Sequence, residues 1–159
     1  MSDTNGVKFM ALAVREARRN LISLEGGPFG ACIVKNGRVV SVGRNTVLKD
    51  DASCHAEINA IRAASRKLGT YDLSGCRIYS TTEPCPMCFS AIHWARIGRV
   101  IYGTTIADAR RIGFNELAIS ARAMKRAGKS PVRITAGFRR AECRALFDDW
   151  LRLPGRKVY

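Results

Sequence analysis

The 159-residue chain predicts an α/β fold class, one three-layer α/β/α domain with a mixed sheet of about five strands. Three observations lead to it. An amphipathic helical repeat opens the chain, a hairpin signal follows, and from there short strand-like runs alternate with helical ones to the end. No internal repeat, low-complexity tract or long linker divides the sequence, so residues 1–159 are expected to form a single domain.

From Asp3 to Leu21 apolar residues fall at Val7, Met10, Ala11, Val14, Ala17 and Leu21, the spacing of one helical face, with Asp3 or Thr4 as N-cap. GGPFG, Gly26 to Gly30, ends that helix. The next stretch, ACIVKNGRVVSVG, places two apolar runs around Asn36-Gly37, a dipeptide that supplies positive φ at both centres of a type I′ turn, so a β-hairpin is predicted. A second helix is expected from His55 to Leu68, with Asp51 and Ser53 as capping candidates and Gly69 as its stop. Arg77 to Thr81 reads as a strand. Pro84 then stands where proline is tolerated, at the first turn of a third helix from Cys85 to Ala95. A strand from Arg99 to Gly103, a helix from Phe114 to Ala127, a strand from Pro131 to Ala136 and a helix from Arg140 to Leu153 complete the prediction.

A domain of this length buries roughly 70% of the surface its unfolded chain exposes, so no disulfide is needed to hold it. The start, MSDTNGVKFM, has no basic stretch followed by an apolar run, and no segment offers about 18 consecutive apolar residues. A soluble, cytoplasmic protein without a membrane partner is expected. Six cysteines in such a chain point to metal ligands or small buried hydrophobes. Lys and Arg number 27 against 13 Asp and Glu, a formal charge of +14, which opens a nucleic acid as a partner without choosing an activity. Between Arg122 and Lys157 eleven basic residues face three acidic ones, a net +8 by subtraction. Solvated helix faces are the preferred reading there, because the cations are not interleaved with aromatics as single-strand binding platforms usually are.

Two segments carry chemistry: His55-Ala56-Glu57 and Pro84-Cys85-Pro86-Met87-Cys88. Together they fit the H-x-E…P-C-x-x-C pattern of zinc-dependent base deaminases. Cys85 and Cys88 are three apart on a predicted helix, hence on one face, in a first turn whose unpaired N–H groups and dipole favour thiolates. With His55 they make three protein ligands, which leaves a fourth tetrahedral position to a water whose pKa the metal brings to about 7. Glu57, two residues from His55, is expected beside the water rather than on the metal, moving its proton to a ring nitrogen and then to the departing amine. On position alone it is also a first-turn carboxylate favoured by the helix dipole. Cys54 is expected to turn away from the site, Cys32, Cys76 and Cys143 to pack in the core, and His93 to serve a helical or surface role.

On HAE and EPCPMC the sequence resembles the cytidine deaminase superfamily, and within it the bacterial guanine deaminase branch. The resemblance covers nearly the whole chain, through GGPFGACIVKNG (Gly26 to Gly37), GRN (Gly43 to Asn45), CHAEINAIRAA (Cys54 to Ala64), LGTYDLSGC (Leu68 to Cys76), AIHWAR (Ala91 to Arg96), IGFNE (Ile112 to Glu116) and the terminal RKVY. It implies a cytidine-deaminase-like fold, one Zn2+ per subunit with a bound water, and hydrolytic deamination of a free purine, guanine to xanthine and ammonia. It also implies a homodimer in which a C-terminal segment, about 137–159, is swapped.

Carried over residue by residue, the resemblance implies that Phe29 borders or stacks on the purine and that Asn45 hydrogen-bonds its edge. The backbone of Ala56 and the ring of Trp94 would line the same pocket, with Glu116 reading a polar edge and Tyr159 closing it. Asn115-Glu116 stands where the branch has Asp-Asp, and the extra methylene of Glu116 changes the reach of that contact. Residue type alone gives plainer readings: Phe29 as a packed loop aromatic, Asn45 as a strand-ending turn residue, Trp94 as core and Tyr159 as a frayed terminus. Guanosine, an aminotriazine or another aminopurine stays open as substrate. The second reading is a tRNA adenosine-to-inosine deaminase, a neighbouring branch that usually has PVGA where this chain has PFGA, and the net charge supports it. A purely structural zinc module would need a fourth protein ligand, and none is evident near the other three.

Overall fold

The computed structural model describes residues 4–159. Five strands, β1 (Gly30–Lys35), β2 (Arg38–Arg44), β3 (Cys76–Thr82), β4 (Arg99–Thr104) and β5 (Arg133–Thr135), form one sheet in the order β2-β1-β3-β4-β5. β1 pairs antiparallel with both β2 and β3, whereas β3–β4 and β4–β5 are parallel, so the sheet is mixed as predicted. The β1–β2 turn has positive φ at Asn36 (50°) and Gly37 (71°), the two left-handed centres that the Asn-Gly pair is suited to supply.

Six helices cover this sheet: α1 (Thr4–Ser23), α2 (Ala56–Leu68), α3 (Pro86–Trp94), α4 (Ile106–Arg111), α5 (Ala121–Ala127) and α6 (Arg140–Leu151). On one face Ala56, Ala60 and Ala64 of α2, Phe89 and Ile92 of α3 and Ala121 of α5 pack against Ile33, Ile78 and Val100. On the other, Phe9, Met10 and Ala13 of α1 and Cys143 of α6 pack against Cys32, Tyr79 and Ile101. Three layers result. No helix among the described residues is long and apolar enough to cross a membrane.

Four elements differ from the sequence reading. The predicted helix from Phe114 to Ala127 is helical only over α5. Residues 114–120 are irregular because their backbone is engaged elsewhere: the Asn115 N–H donates to the Tyr159 carbonyl at 2.8 Å, and Ser120 caps α5 by accepting from the Ala123 N–H at 3.1 Å. The short helix α4 was not predicted, although Thr105 and Asp108 form a capping box that is visible as T-x-x-D in the sequence. Burial opposes ionisation of Asp108, but hydrogen bonds from Arg140 and Thr105 outweigh it and hold the carboxyl at about 2, tying α4 to α6. The edge strand β5 keeps three residues of the six expected from Pro131 to Ala136, since its pairing with β4 runs only from Arg133 to Thr135. The N-cap of α2 is His55, not Asp51 or Ser53; Asp51 instead accepts from the Ser53 N–H at 2.7 Å in a local turn. Gly69 ends α2 in the left-handed conformation as expected. The N-cap candidate Asp3 lies outside the described residues.

Close approach of α2 to the sheet depends on Gly43 of β2. A Cβ there would lie 2.6 Å from the Ala56 carbonyl oxygen and 2.7 Å from the Ala60 nitrogen, both backbone atoms that no rotamer change can move. Gly43→Ala is therefore expected to destabilise the fold by roughly 2 kcal/mol or more, read as a lowered urea midpoint. An unchanged midpoint would mean that α2 is free to slide.

Candidate active site

Two helix starts meet at the end of the sheet. His55 is the N-cap of α2 and Cys85 the N-cap of α3, both with extended backbone, and neither side chain makes the capping hydrogen bond that this position ordinarily supplies. Their side chains turn instead toward each other. Cys85 Sγ lies 3.6 Å from His55 Nδ1, and the ligand atoms of His55, Cys85 and Cys88 all fall within 4.8 Å of one another. Donors about 2.0–2.3 Å from a tetrahedral zinc are themselves roughly 3.5 Å apart, and two sulfurs with one imidazole nitrogen form a set that suits that ion. Cys54, although next to His55, is buried and receives an Arg62 guanidinium N–H at 3.3 Å, away from the triad.

The electrostatics of the three are coupled. A hydrogen bond from Cys88 pulls the Cys85 thiol down to about 4 against the effect of burial, helped by His55. Burial pushes Cys88 well above the ordinary thiol range, reinforced by the neighbouring Cys85 and Glu57 charges. Burial also works against a cationic His55, but the Cys85 hydrogen bond and the charges of Glu57 and Cys85 prevail and raise it. The cluster favours negative charge on Cys85 with positive charge close by on His55, and a bound cation would extend that stabilisation to the Cys88 sulfur.

Glu57 lies in the first turn of α2, 6% exposed, and is not one of the clustered ligands. The Ser80 hydroxyl from β3 lies 2.8 Å from its Oε1, and the Cys88 thiol donates to Oε2 at 3.4 Å. Burial raises its proton affinity, with the nearby His55 opposing that rise.

A cavity of about 150 Å3 opens over these groups and is lined by His55, Glu57 and Cys85 together with Phe29, Asn45, Glu116 and Tyr159. Phe29 meets Phe114 edge to face with ring centres 4.9 Å apart, and Phe114 meets Tyr159 in the same way at 5.3 Å. The Tyr159 hydroxyl donates to Asn45 Oδ1 at 2.6 Å and accepts the Gly27 N–H at 2.9 Å, so the last residue of the chain is fastened to the cavity wall where the GGPFG loop meets the end of β2. Glu116 is brought in by the 114–120 loop, and burial, with the Cys85 charge adding, raises its carboxyl to about 7.

One expected residue is placed differently. Trp94 is 77% exposed at the end of α3 and lines a separate groove, because α3 runs away from the cavity and turns this side chain outward; it is neither pocket nor core in this chain. Ala56 packs its methyl in the core, which leaves only its backbone between His55 and Glu57.

Several supporting residues escaped the sequence reading. Asn20, fully buried on the inner face of α1, donates to the carbonyls of Gly27 at 2.8 Å and Asn45 at 2.7 Å, fixing the GGPFG loop beside the end of β2. A polar residue at helical spacing from Ala13 and Ala17 was the available signal. Glu83 accepts the Ile106 N–H at 3.0 Å and the Ala121 N–H at 2.9 Å, so one buried carboxylate holds the first residues of both α4 and α5, the helices that bracket the Glu116 loop. Thr82, Phe114 and Asn115 also line the cavity and had no separate signal.

Comparison with known proteins agrees with this geometry. Residues 3–104 match the model of the cytidine and deoxycytidylate deaminase zinc-binding region. The guanine deaminase of Bacillus subtilis is 43% identical over 113 residues, covering 70% of this chain and 72% of that protein. A tRNA-specific adenosine deaminase of Aquifex aeolicus is 44% identical over 97 residues, covering 59% of this chain and 62% of that one. Among solved structures, guanine deaminase from Nitrosomonas europaea superposes with a TM-score of 0.84 at 27% identity, covering 96% of this chain and 87% of its own. With its matched region spanning both helix starts and all three clustered ligands, the chain belongs to the cytidine and deoxycytidylate deaminase family of zinc-binding proteins.

Proposed function

We propose that this chain catalyses hydrolytic deamination of a free purine base, guanine to xanthine and ammonia. The size and closure of the cavity carry this reading. At about 150 Å3, with Tyr159 in its wall, it has room for roughly one ring system and none for an attached ribose and phosphate. Two of the similar proteins, from Bacillus subtilis and Nitrosomonas europaea, are guanine deaminases, which supports the same base.

His55, Cys85 and Cys88 would hold zinc, which would supply a water that ionises near neutral pH. Glu57 takes the proton of that water. Ser80 steadies the carboxylate at Oε1, and the carboxylate carries the proton to the ring nitrogen beside the amine-bearing carbon, and later to the departing amine. A bond from the water oxygen to that carbon forms, its bond to the amine breaks, and ammonia leaves. Burial suits Glu57 to hold the proton between the two transfers. Phe29 and Phe114 offer an aromatic wall to the purine face, while Asn45 and Glu116 meet its polar edges, with the Ala56 backbone in the adjoining first turn. Near neutral pH Glu116 can present either an acceptor or an acid hydrogen to the base.

The test is incubation of purified protein with guanine, following xanthine and ammonia. Absence of both, while a tRNA transcript acquires inosine, would sink the reading. Deleting Val158 and Tyr159 removes three hydrogen bonds, that of the Asn115 N–H to the Tyr159 carbonyl included, and an aromatic contact, and kcat/KM is expected to fall by about 10- to 100-fold. Wild-type kinetics would remove the tail from the account.

The working form is a homodimer. Leu117, 63% exposed, and Ile119, 43% exposed, stand beside Glu116 as apolar surface that a second copy would cover. Exchange of residues 137–159 between two copies would preserve the Tyr159 contacts, made to the partner instead. Sedimentation at micromolar concentration distinguishes a dimer from a monomer.

A further inference from the structure

We propose that Asn59 is a positioning residue for the deamination: it fixes Asn45, which meets the base, relative to His55, which would hold the metal. The inference rests on the proposed function, in which Asn45 and His55 both line the site of the base. Asn59 stands one turn into α2, and its backbone N–H donates to the His55 carbonyl at 2.9 Å. Its side chain reaches the other way. Nδ2 donates to the Arg44 carbonyl at 2.8 Å and to Thr46 Oγ1 at 3.0 Å, with the Cys54 carbonyl also in reach at 3.3 Å. A single residue is therefore bonded to the His55 carbonyl through its backbone, and through its amide to both neighbours of Asn45 and to the residue before His55.

Asn45 needs such a hold because the sheet does not supply it. The register of β2 ends at Arg44, paired with Gly30, and residues 45–55 belong to no strand or helix. Hydrogen bonds take over from there. The Asn45 N–H donates to the Phe29 carbonyl at 3.1 Å, its carbonyl accepts from Asn20 at 2.7 Å, and the Thr46 N–H donates to the Cys54 carbonyl at 2.9 Å. Asn45 Oδ1 already accepts from the Val47 N–H at 3.0 Å and the Tyr159 hydroxyl at 2.6 Å, which leaves the amide hydrogens of Asn45 for the base.

The residue type at position 59 fits this role. Asparagine favours caps and turns over helix interiors, so its place inside α2 is explained by bonds it makes outside the helix. All three groups facing Nδ2 act as acceptors, and only a side chain with two hydrogens at one atom serves them. Asp at this position keeps the shape and turns attraction into repulsion. All of these contacts lie between residues 20 and 59 of one chain, so neither exchange of the C-terminal segment nor dimer formation supplies them.

The experiment measures guanine kinetics of Asn59→Asp, Asn59→Ala and Asn45→Ala, alone and combined, at about pH 8, where a carboxyl is ionised. Zinc content and amide hydrogen exchange of peptides spanning residues 44–54 are read on the same preparations. Asn59→Asp should raise KM about tenfold with kcat within about threefold and zinc unchanged, an effect at least as large as that of Asn59→Ala. On the Asn45→Ala background it should change KM by less than about twofold, since the residue it acts through is gone. Exchange over 44–54 should quicken while β3 and β4 keep their protection. Three results overturn the proposal: an Asp variant milder than Ala, which marks a packing role; effects on KM that add in the double variant; or wild-type exchange over 44–54. Should Asn59→Asp not fold, Thr46→Val removes one acceptor from the far side of the same contact, and wild-type KM and exchange in that variant overturn it as well. If the unaltered protein leaves guanine intact, the proposed function fails on that measurement alone, and exchange, which involves no base, decides the role of Asn59.

Discussion

Glu57→Gln is expected to lower kcat for guanine by about 10^3-fold with zinc content unchanged. Gln keeps the length, the hydrogen bond with Ser80 and the packing of a side chain that is only 6% exposed, so the cavity should keep its shape. What it loses is the ability to take a proton from water and return it to the ring and the amine. On the proposed reading, in which Phe29, Phe114 and Asn45 hold the purine, KM should change little and the effect should fall on kcat. Steady-state kinetics with metal analysis of the same preparation checks this. If zinc is lost together with activity, Glu57 is a ligand rather than the proton carrier; if turnover persists at the wild-type rate, another group moves the proton. Glu116, raised to about 7 in the same cavity, would then be the group to replace next.

Legibility in the sequence followed how local the physics was. The hairpin, Gly69 as the α2 stop and the three clustered ligands each depend on residues a few positions apart, or on two short motifs at helix starts, and all were readable before any coordinates. The 114–120 loop was not, because it is held out of helix by Tyr159, more than forty residues away, and by Glu83 at the head of α5. Asn20 and Glu83 act through single buried polar groups that bridge distant backbone segments, and such bridges leave no periodic trace. Trp94 shows the opposite limit. A motif match carried it into the cavity, while the direction of α3 turns it to solvent, and neither spacing nor resemblance encodes that direction.

Cys85→Ala is expected to bring zinc below about a tenth of an ion per chain and guanine turnover to background, while far-UV circular dichroism stays that of the folded protein. Removing one of three protein ligands leaves His55 and Cys88, too few to hold the ion against dilution. The fold should survive, because Cys85 is only partly buried at a helix N-cap and the two apolar cores on either face of the sheet do not include it. Cys88→Ala should abolish turnover equally but cost more stability, since that side chain is fully buried between α2 and α3 and its removal leaves a small void. Melting temperature against added zinc separates metal linkage from packing. An ion present at about a thousand times its Kd stabilises the wild type by about 4 kcal/mol, and neither variant should respond to it. A Cys85→Ala protein that still stabilises with zinc and still deaminates guanine would place the metal elsewhere. If it unfolds outright, the ion is part of the fold rather than of the chemistry, and the N-cap geometry at His55 and Cys85 would then need a structural explanation.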